Sequence, residues 1–268
     1  MNPMVVLTDE QIKQYNKNGF LLVKNLIPLS IIDEINDLCK KFNHVTKDDW
    51  EIGKEMAYYE TNKMNSKKRI LMRVENLVDF YPLISNVAQS KEIFSTLEKI
   101  MGEKIVLFKD KINFKNPGSG GFRPHQDPNK SWLKFSNKFC NALITISESV
   151  IDNGCIELAP EGHKLGLIPE DGTGLLREDT VKNLSFKMIP TSPGDVVFFD
   201  ALSPHRSKSN NSKSQRINLY LSYNALMDGN HRHEYFEEKR AEFPPDNERV
   251  DKTKIQNSNV HEAIYTEN

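Results

Sequence analysis

Apolar residues recur along this chain with two different periods, and the switch between them divides it. Thr8-Asp9-Glu10-Gln11 has the form of a capping box, with Thr8 as cap and Gln11 reaching back. It predicts a short helix to about Lys17, which Asn18-Gly19 ends. Phe20-Leu21-Leu22-Val23 reads as a strand. Ser30 with Asp33 opens a second helix whose Ile31, Ile35, Leu38 and Phe42 share one stripe. Ser90 opens another, carrying Ile93, Leu97, Ile100 and Met101, and Gly102 supplies its stop. Residues 43 to 70 are charged and without a period, so they read as a loop or lid.

From residue 104 the period becomes that of a strand. Val106, Phe108, Ile112 and Phe114 fall on one face; Lys109, Lys111, Asn113 and Lys115 fall on the other. Asn141 to Ser147, Ile156 to Leu158, Phe186 to Ile189, Val196 to Phe199 and Arg216 to Asn224 are further short strands between Gly and Pro turns. Strands without intervening helical periods favour a mainly β barrel or sandwich over an α/β sheet. The helices would then pack on the outside of one sheet. The reading is of a single domain: a helical part over 1–103, a strand core over 104–225 and a polar C-terminal extension over 226–268. The final dozen residues read as disordered.

Composition narrows the partners. The 268 residues carry a formal net charge of −1 with a pI near 6.7, which points to neither nucleic acid nor an anionic membrane. The first residues lack a basic segment followed by an apolar one, and no apolar run approaches the length of a membrane span. Cys39, Cys140 and Cys155 are widely spaced and fit free thiols in a reducing cytoplasm. Nothing in the pattern indicates an oligomeric state.

The chemistry is concentrated in His125-Gln126-Asp127 and the distant His205. A histidine and an aspartate at i, i+2 on a strand project to the same side. With one further histidine they offer two imidazoles and a carboxylate, which occupy one face of an octahedral ion and leave the other open. Taken singly, each of these residues is better read as a surface or turn residue. Pro193-Gly194-Asp195 and the apolar Val196-Val197-Phe198-Phe199 deliver His205 to a strand end, which strengthens the set. On the residues alone the ion could be iron or zinc. Arg216 heads a strand on which Arg216, Asn218, Tyr220, Ser222 and Asn224 alternate with Ile217, Leu219, Leu221 and Tyr223. A wholly polar strand face suits a wet cavity, and a guanidinium there could hold a carboxylate bidentately.

These pieces, with Ile112-Asn113-Phe114-Lys115 and Asn153-Gly154-Cys155 leading into Ala159-Pro160-Glu161-Gly162-His163-Lys164, resemble the phytanoyl-CoA dioxygenase family of Fe(II)/2-oxoglutarate oxygenases. They follow the family order over roughly residues 105 to 225. The resemblance implies a double-stranded β-helix, or jelly roll, with N-terminal helices packed on one sheet. It implies Fe(II) on His125, Asp127 and His205, and 2-oxoglutarate as co-substrate with O2. Arg216 matches the family arginine for the distal carboxylate, Ser207 a hydroxyl that assists it, and Asn113 an amide touching the same molecule. Related halogenases lack a carboxylate at the position of Asp127, so its presence argues for hydroxylation.

The substrate is a small molecule on this reading. Trp132, Arg123, Lys111 and Asn218 are candidates for its pocket, and Arg206 for a further cation; each is also readable as core or solvated surface. His163, His231 and His233 fit no ligand spacing and read as surface or structural. Glu234 to Arg240 and Phe243 to Arg249 resemble the C-terminal segment of the family's bacterial 2-aminoethylphosphonate dioxygenases. That implies 2-aminoethylphosphonate hydroxylated beside phosphorus to 2-amino-1-hydroxyethylphosphonate, the pocket needing a cationic clamp. Hydroxylation of another small amino or hydroxy compound, a cupin-like isomerase, and a jelly roll that binds without turnover are the alternatives.

Overall fold

A computed structural model describes residues 7–128, 130–172 and 174–249. The expected disorder of the final dozen residues lies outside them. The strands are β1 (Phe20–Val23), β2 (Met56–Asn62), β3 (Asn65–Glu75), β4 (Ile105–Lys115), β5 (Phe122–His125), β6 (Phe139–Thr145), β7 (Ile156–Leu158), β8 (Lys187–Met188), β9 (Val196–Asp200), β10 (His205–Ser207) and β11 (Arg216–Ala225). They form a seven-stranded sheet, β1-β9-β6-β11-β4-β3-β2, facing a four-stranded sheet, β5-β10-β7-β8. This is the jelly roll expected. The helices are α1 (Asp9–Asn18), α2 (Leu29–Phe42), α3 (Pro82–Ala88), α4 (Lys91–Met101), α5 (Lys130–Leu133), α6 (Glu178–Val181) and α7 (Arg232–Glu242). Among the described residues no helix is long and apolar enough to cross a membrane.

Local chemistry sets the helix ends. Thr8 and Gln11 cap α1 reciprocally, and Gly19 closes it in the left-handed region at φ 82°. Ser90 caps α4 through the amide of Ile93, and Gly102 at φ 72° ends it. The cap of α2 is Pro28, with no side-chain bond, and its buried stripe is Ile32, Ile35, Cys39 and Phe42. Ile31 and Leu38, expected on that stripe, pack at its margin.

Two expectations about the N-terminal part give way. Residues 43 to 70 are not a loop or lid, and the part before residue 104 is not simply helical: β2 and β3 form a hairpin that extends the large sheet beyond β4. The first five residues of β3 are exposed and polar, and its last six are buried. A strand that overhangs its sheet loses the alternation by which strands are recognised.

The large sheet has an apolar outer face and a polar inner one. Ile217, Leu219, Leu221 and Tyr223 of β11 join Ile32, Ile35, Ile93 and Leu97 of the helices in the main core. Register brings the polar positions together on the other face: Arg216 opposite Lys115, Asn218 opposite Asn113, Tyr220 opposite Lys111, Arg73 opposite Asn113 and Glu75 opposite Lys111. Asn141 of β6 lies opposite Ser222. The lysine face of β4 is therefore interior. A bulge in the β4–β11 ladder, where Ser222 faces Lys109 and Tyr223 faces Leu107, leaves Phe108 as the extra residue. Phe108 leaves the face of Ile112 and Phe114 and joins an aromatic cluster, with ring centroids 5.1 Å from Trp132 and 4.6 Å from Tyr235.

Candidate metal centre

His125 ends β5 and His205 begins β10, and the two are direct register partners with ring centroids 4.2 Å apart. Each imidazole donates through Nδ1 to a carbonyl oxygen two residues back: His125 to Arg123 at 2.7 Å, His205 to Ser203 at 3.0 Å. That fixes ring and tautomer and leaves both Nε2 lone pairs directed elsewhere. Asp127 lies just past the end of β5 rather than on the strand; its amide donates to the carbonyl of Ala201 at 3.2 Å. Its Oδ2 stands 3.8 Å from His205 Nε2, and the ligand atoms of His125, Asp127 and His205 all fall within 4.8 Å of one another. Asn141, not singled out from the sequence, donates to Asp127 Oδ2 at 2.8 Å and accepts from the Ser222 hydroxyl at 2.6 Å.

Electrostatics prepare the group for a cation. Burial, reinforced by His205, pushes the His125 pKa down to about 3, and burial lowers His205 against the pull of Asp127. Both rings are thus neutral, as ligation requires. Burial acts to raise Asp127, but His205 and Lys111 outweigh it and keep the carboxyl ionised.

A second set of residues lies along the same polar face. Arg216 is 1% exposed; one Nη donates to the Gly154 carbonyl at 2.6 Å, while Nε has no hydrogen-bond partner. Among the described residues it makes no ion pair, and an unpaired buried charge is costly. Asn113 Oδ1 and Asn218 Oδ1 are likewise buried without partners, while the side-chain amides of both residues approach the Tyr220 hydroxyl. These orphaned groups fit a small polar acid with a carboxylate at its far end. Ser207 accepts from Lys115 Nζ at 2.7 Å, and Lys115 also donates to the Lys208 carbonyl. Asn113, Lys115, Arg216, Glu60 and Phe122 share one small cavity. Asn218, expected at the substrate, instead sits beside Asn113 at this end.

The larger cavity opens over His125 and Asp127. Trp132 and Lys111 line it. Arg123 does not: it lines a separate hollow with Glu170, Asp171 and Arg177. The β5–β10 ladder is bulged, His125 facing His205 while Phe122 faces Ser207, and this turns Phe122 with His125 toward the site and Arg123 away. Arg206 is taken by Glu157 at 2.8 Å and stacks on Phe186.

The cations in this cavity are Arg73, Lys109, Lys111 and Lys239, three of which the sequence reading did not place there. Arg73 Nε stands 2.9 Å from Glu75 Oε1; Lys109 stands 3.9 Å from Oε2, and Lys239 pairs with the same oxygen. Lys239 comes from α7, so the C-terminal segment is a wall of the cavity. Beyond α7, Phe243 accepts from the Tyr58 hydroxyl at 2.8 Å and the Asp246 amide donates to Ala57 at 3.1 Å, which fastens the segment to β2. Gln126, between two candidate ligands, donates to the carbonyls of Gly166 at 2.8 Å and Leu202 at 2.6 Å and accepts from the Ile168 amide at 2.9 Å. It ties the loop bearing Glu170, at the cavity mouth, to the approach to His205.

A jelly roll that converges two neutral imidazoles and a carboxylate beside a buried, unpaired arginine defines an oxygenase-type metal centre. The chain belongs to the family Phytanoyl-CoA dioxygenase (PhyH), whose model matches residues 15–218, and it is an enzyme of that oxygenase class. It is 33% identical over 251 residues to the 2-aminoethylphosphonate dioxygenase of Uncultured bacterium HF130_AEPn_1, covering 92% of this chain and 93% of that one. It is 30% identical over 237 residues to the methylphosphonate hydroxylase of Gimesia maris, covering 88% of each. Among solved structures, EctD from S. alaskensis, determined with 2-oxoglutarate and 5-hydroxyectoine, superposes with a TM-score of 0.68 at 14% identity, over 83% of this chain and 77% of that one. That likeness is one of fold.

Proposed function

We propose that the chain is an Fe(II)- and 2-oxoglutarate-dependent hydroxylase of small phosphonates, with 2-aminoethylphosphonate hydroxylated at the carbon beside phosphorus as the specific reaction. The observation that carries the oxygenase reading is the pairing of the His125, Asp127 and His205 donor set with the buried, unpaired Arg216. Iron bound there supplies O2 activation coupled to decarboxylation: 2-oxoglutarate, O2 and substrate C–H become succinate, CO2 and C–OH. Two relatives whose names specify phosphonates, and the cationic lining of the cavity, support the substrate class. The buried, unpaired thiols support a cytoplasmic location.

The chain's own residues supply binding, orientation and dryness. His125 and His205, held by backbone carbonyls, present Nε2; Asn141 holds Asp127 at the angle its carboxylate needs. Arg216 pairs with the far carboxylate of 2-oxoglutarate, and Asn113 and Asn218 satisfy its remaining polar atoms. Ser207 is held by Lys115 beside them. Trp132, Tyr235 and Phe122 wall the cavity and exclude water.

Incubating the iron-loaded protein with 2-oxoglutarate, O2 and 2-aminoethylphosphonate tests the specific reaction. Phosphorus NMR is expected to show 2-amino-1-hydroxyethylphosphonate in step with succinate. Succinate at the substrate-free rate, with rapid turnover of a non-phosphonate amine instead, would discard the phosphonate and keep the class.

A further inference from the structure

Resting on that reading and deepening it, we propose that Arg73, Lys109 and Lys239, gathered on Glu75, form the subsite that grips the phosphonate group and selects a tetrahedral dianion over a carboxylate. Arg73 and Glu75 come from β3, Lys109 from β4 and Lys239 from α7, so three separate elements place their charges at one spot. None of the three cations is more than 8% exposed, and Glu75 is fully buried.

Among the described residues, Lys109 and Lys239 share the one carboxylate of Glu75. Burying such an arrangement is expensive unless a further anion completes it. Lys111 adds another positive charge to the same wall, and the described carboxylates facing these lysines are Glu75, already engaged by Arg73, and Asp127, the candidate metal ligand. Burial, together with Lys109, pushes Lys111 down to about 8, and burial lowers Lys239 well below its usual range against the pull of Glu75. Both shifts come first from burial, while Glu75 holds the Lys109 pKa up.

The geometry suits a phosphonate. One planar fork and two ammonium groups from different directions match three oxygens on one centre, where a carboxylate offers two. Glu75 fixes the three cations before the ligand arrives, which lowers the ordering cost of binding. Arg73, Lys109 and Lys239 line the same cavity as His125 and Asp127, so the subsite lies next to the metal centre and brings the carbon beside phosphorus toward it. Toward the mouth lie the exposed Glu170 and Glu242 and the half-exposed Glu238, the last paired with Lys134. A cavity positive in its interior and acidic at its rim orients a zwitterion with its ammonium outward.

Calorimetric titration of the anaerobic enzyme, loaded with Fe(II) and 2-oxoglutarate, with 2-aminoethylphosphonate and with its carboxylate counterpart 3-aminopropanoate, tests this. The wild type is expected to favour the phosphonate. Lys239→Met and Arg73→Met should each weaken phosphonate binding by at least about tenfold, as for the loss of a charge-assisted bond. They should narrow the preference over 3-aminopropanoate and leave 2-oxoglutarate affinity unchanged, while Lys239→Arg should retain most of the preference. If Lys239→Met does not fold, Lys109→Met decides the same comparison. Folded variants that bind phosphonate with wild-type affinity and preference would reduce the cluster to a brace for α7 and overturn the subsite. A wild type that binds no phosphonate would overturn the substrate reading beneath it.

Discussion

Asn141 and Asp127 are joined by a hydrogen bond of 2.8 Å that aims a carboxylate from a turn at two imidazoles held on strands. Asp127 lies beyond the β5 ladder with its backbone held by the Ala201 carbonyl, and the side-chain amide of Asn141, on a central strand of the large sheet, orients its carboxylate. Asn141→Leu should therefore lower metal affinity by about 10- to 100-fold, the usual cost of losing an outer partner of a ligand. His125→Ala and His205→Ala should lose bound metal outright. Metal content after dialysis, with thermal melting to confirm folding, measures all three; full occupancy in His205→Ala would remove the assignment.

Arg216 should govern the co-substrate. Arg216→Ala is expected to raise the 2-oxoglutarate requirement by orders of magnitude, since breaking a buried charge pair costs about 3–5 kcal/mol. Arg216→Lys should restore little, because an ammonium lacks the fork. Equilibrium binding of 2-oxoglutarate to the metal-loaded variants reads this directly, and equal affinity in both variants and wild type would exclude the role.

Gln126 should position the loop over the cavity rather than touch the chemistry. Gln126→Glu keeps the acceptor for Ile168 but loses both donors, to Gly166 and Leu202. Release of that loop should appear as faster proteolysis between residues 166 and 178 and as succinate formed without product. A Gln126→Glu enzyme with wild-type coupling and protection would show that the loop is held otherwise.

The pH profile should carry the mark of Lys111. Burial and Lys109 bring its pKa down to about 8, so it is charged below that value and neutral above it. Affinity for an anionic substrate should then fall as pH rises through about 8, and Lys111→Arg should flatten that limb because arginine stays charged. Initial-rate KM values between pH 6.5 and 9.5 check it; an unchanged limb in the variant would assign the ionisation elsewhere.

Short-range pattern, strands broken by Gly and Pro turns, made a mainly β core legible; the jelly roll and the iron came from the family resemblance, since His205 is distant in sequence and Asp127 lies past the end of β5. What escaped depends on ladder irregularities and on distant chain. The bulge between β5 and β10 turned Arg123 away, and the one between β4 and β11 turned Phe108 inward. Neither leaves a trace in alternation counted residue by residue. Lys109 and Lys115 looked like a solvated face because their partners, Glu75 and Ser207, lie on strands far along the chain. Arg73 and Glu75 lie just beyond the stretch of 43 to 70 read as a loop, in a part of β3 given no assignment from sequence, and Lys239 sat in a helix whose docking could not be inferred from its own residues.

The most direct measurement is the stoichiometry of one reaction: iron-loaded protein, 2-oxoglutarate, labelled O2 and 2-aminoethylphosphonate, followed by mass spectrometry and phosphorus NMR. The account predicts succinate and 2-amino-1-hydroxyethylphosphonate in equal amounts, with one labelled oxygen in succinate and label from O2 in the new hydroxyl, and no product when His205 or Asp127 is replaced by alanine. Absence of iron-dependent succinate from the wild type with every candidate phosphonate and amine would contradict it.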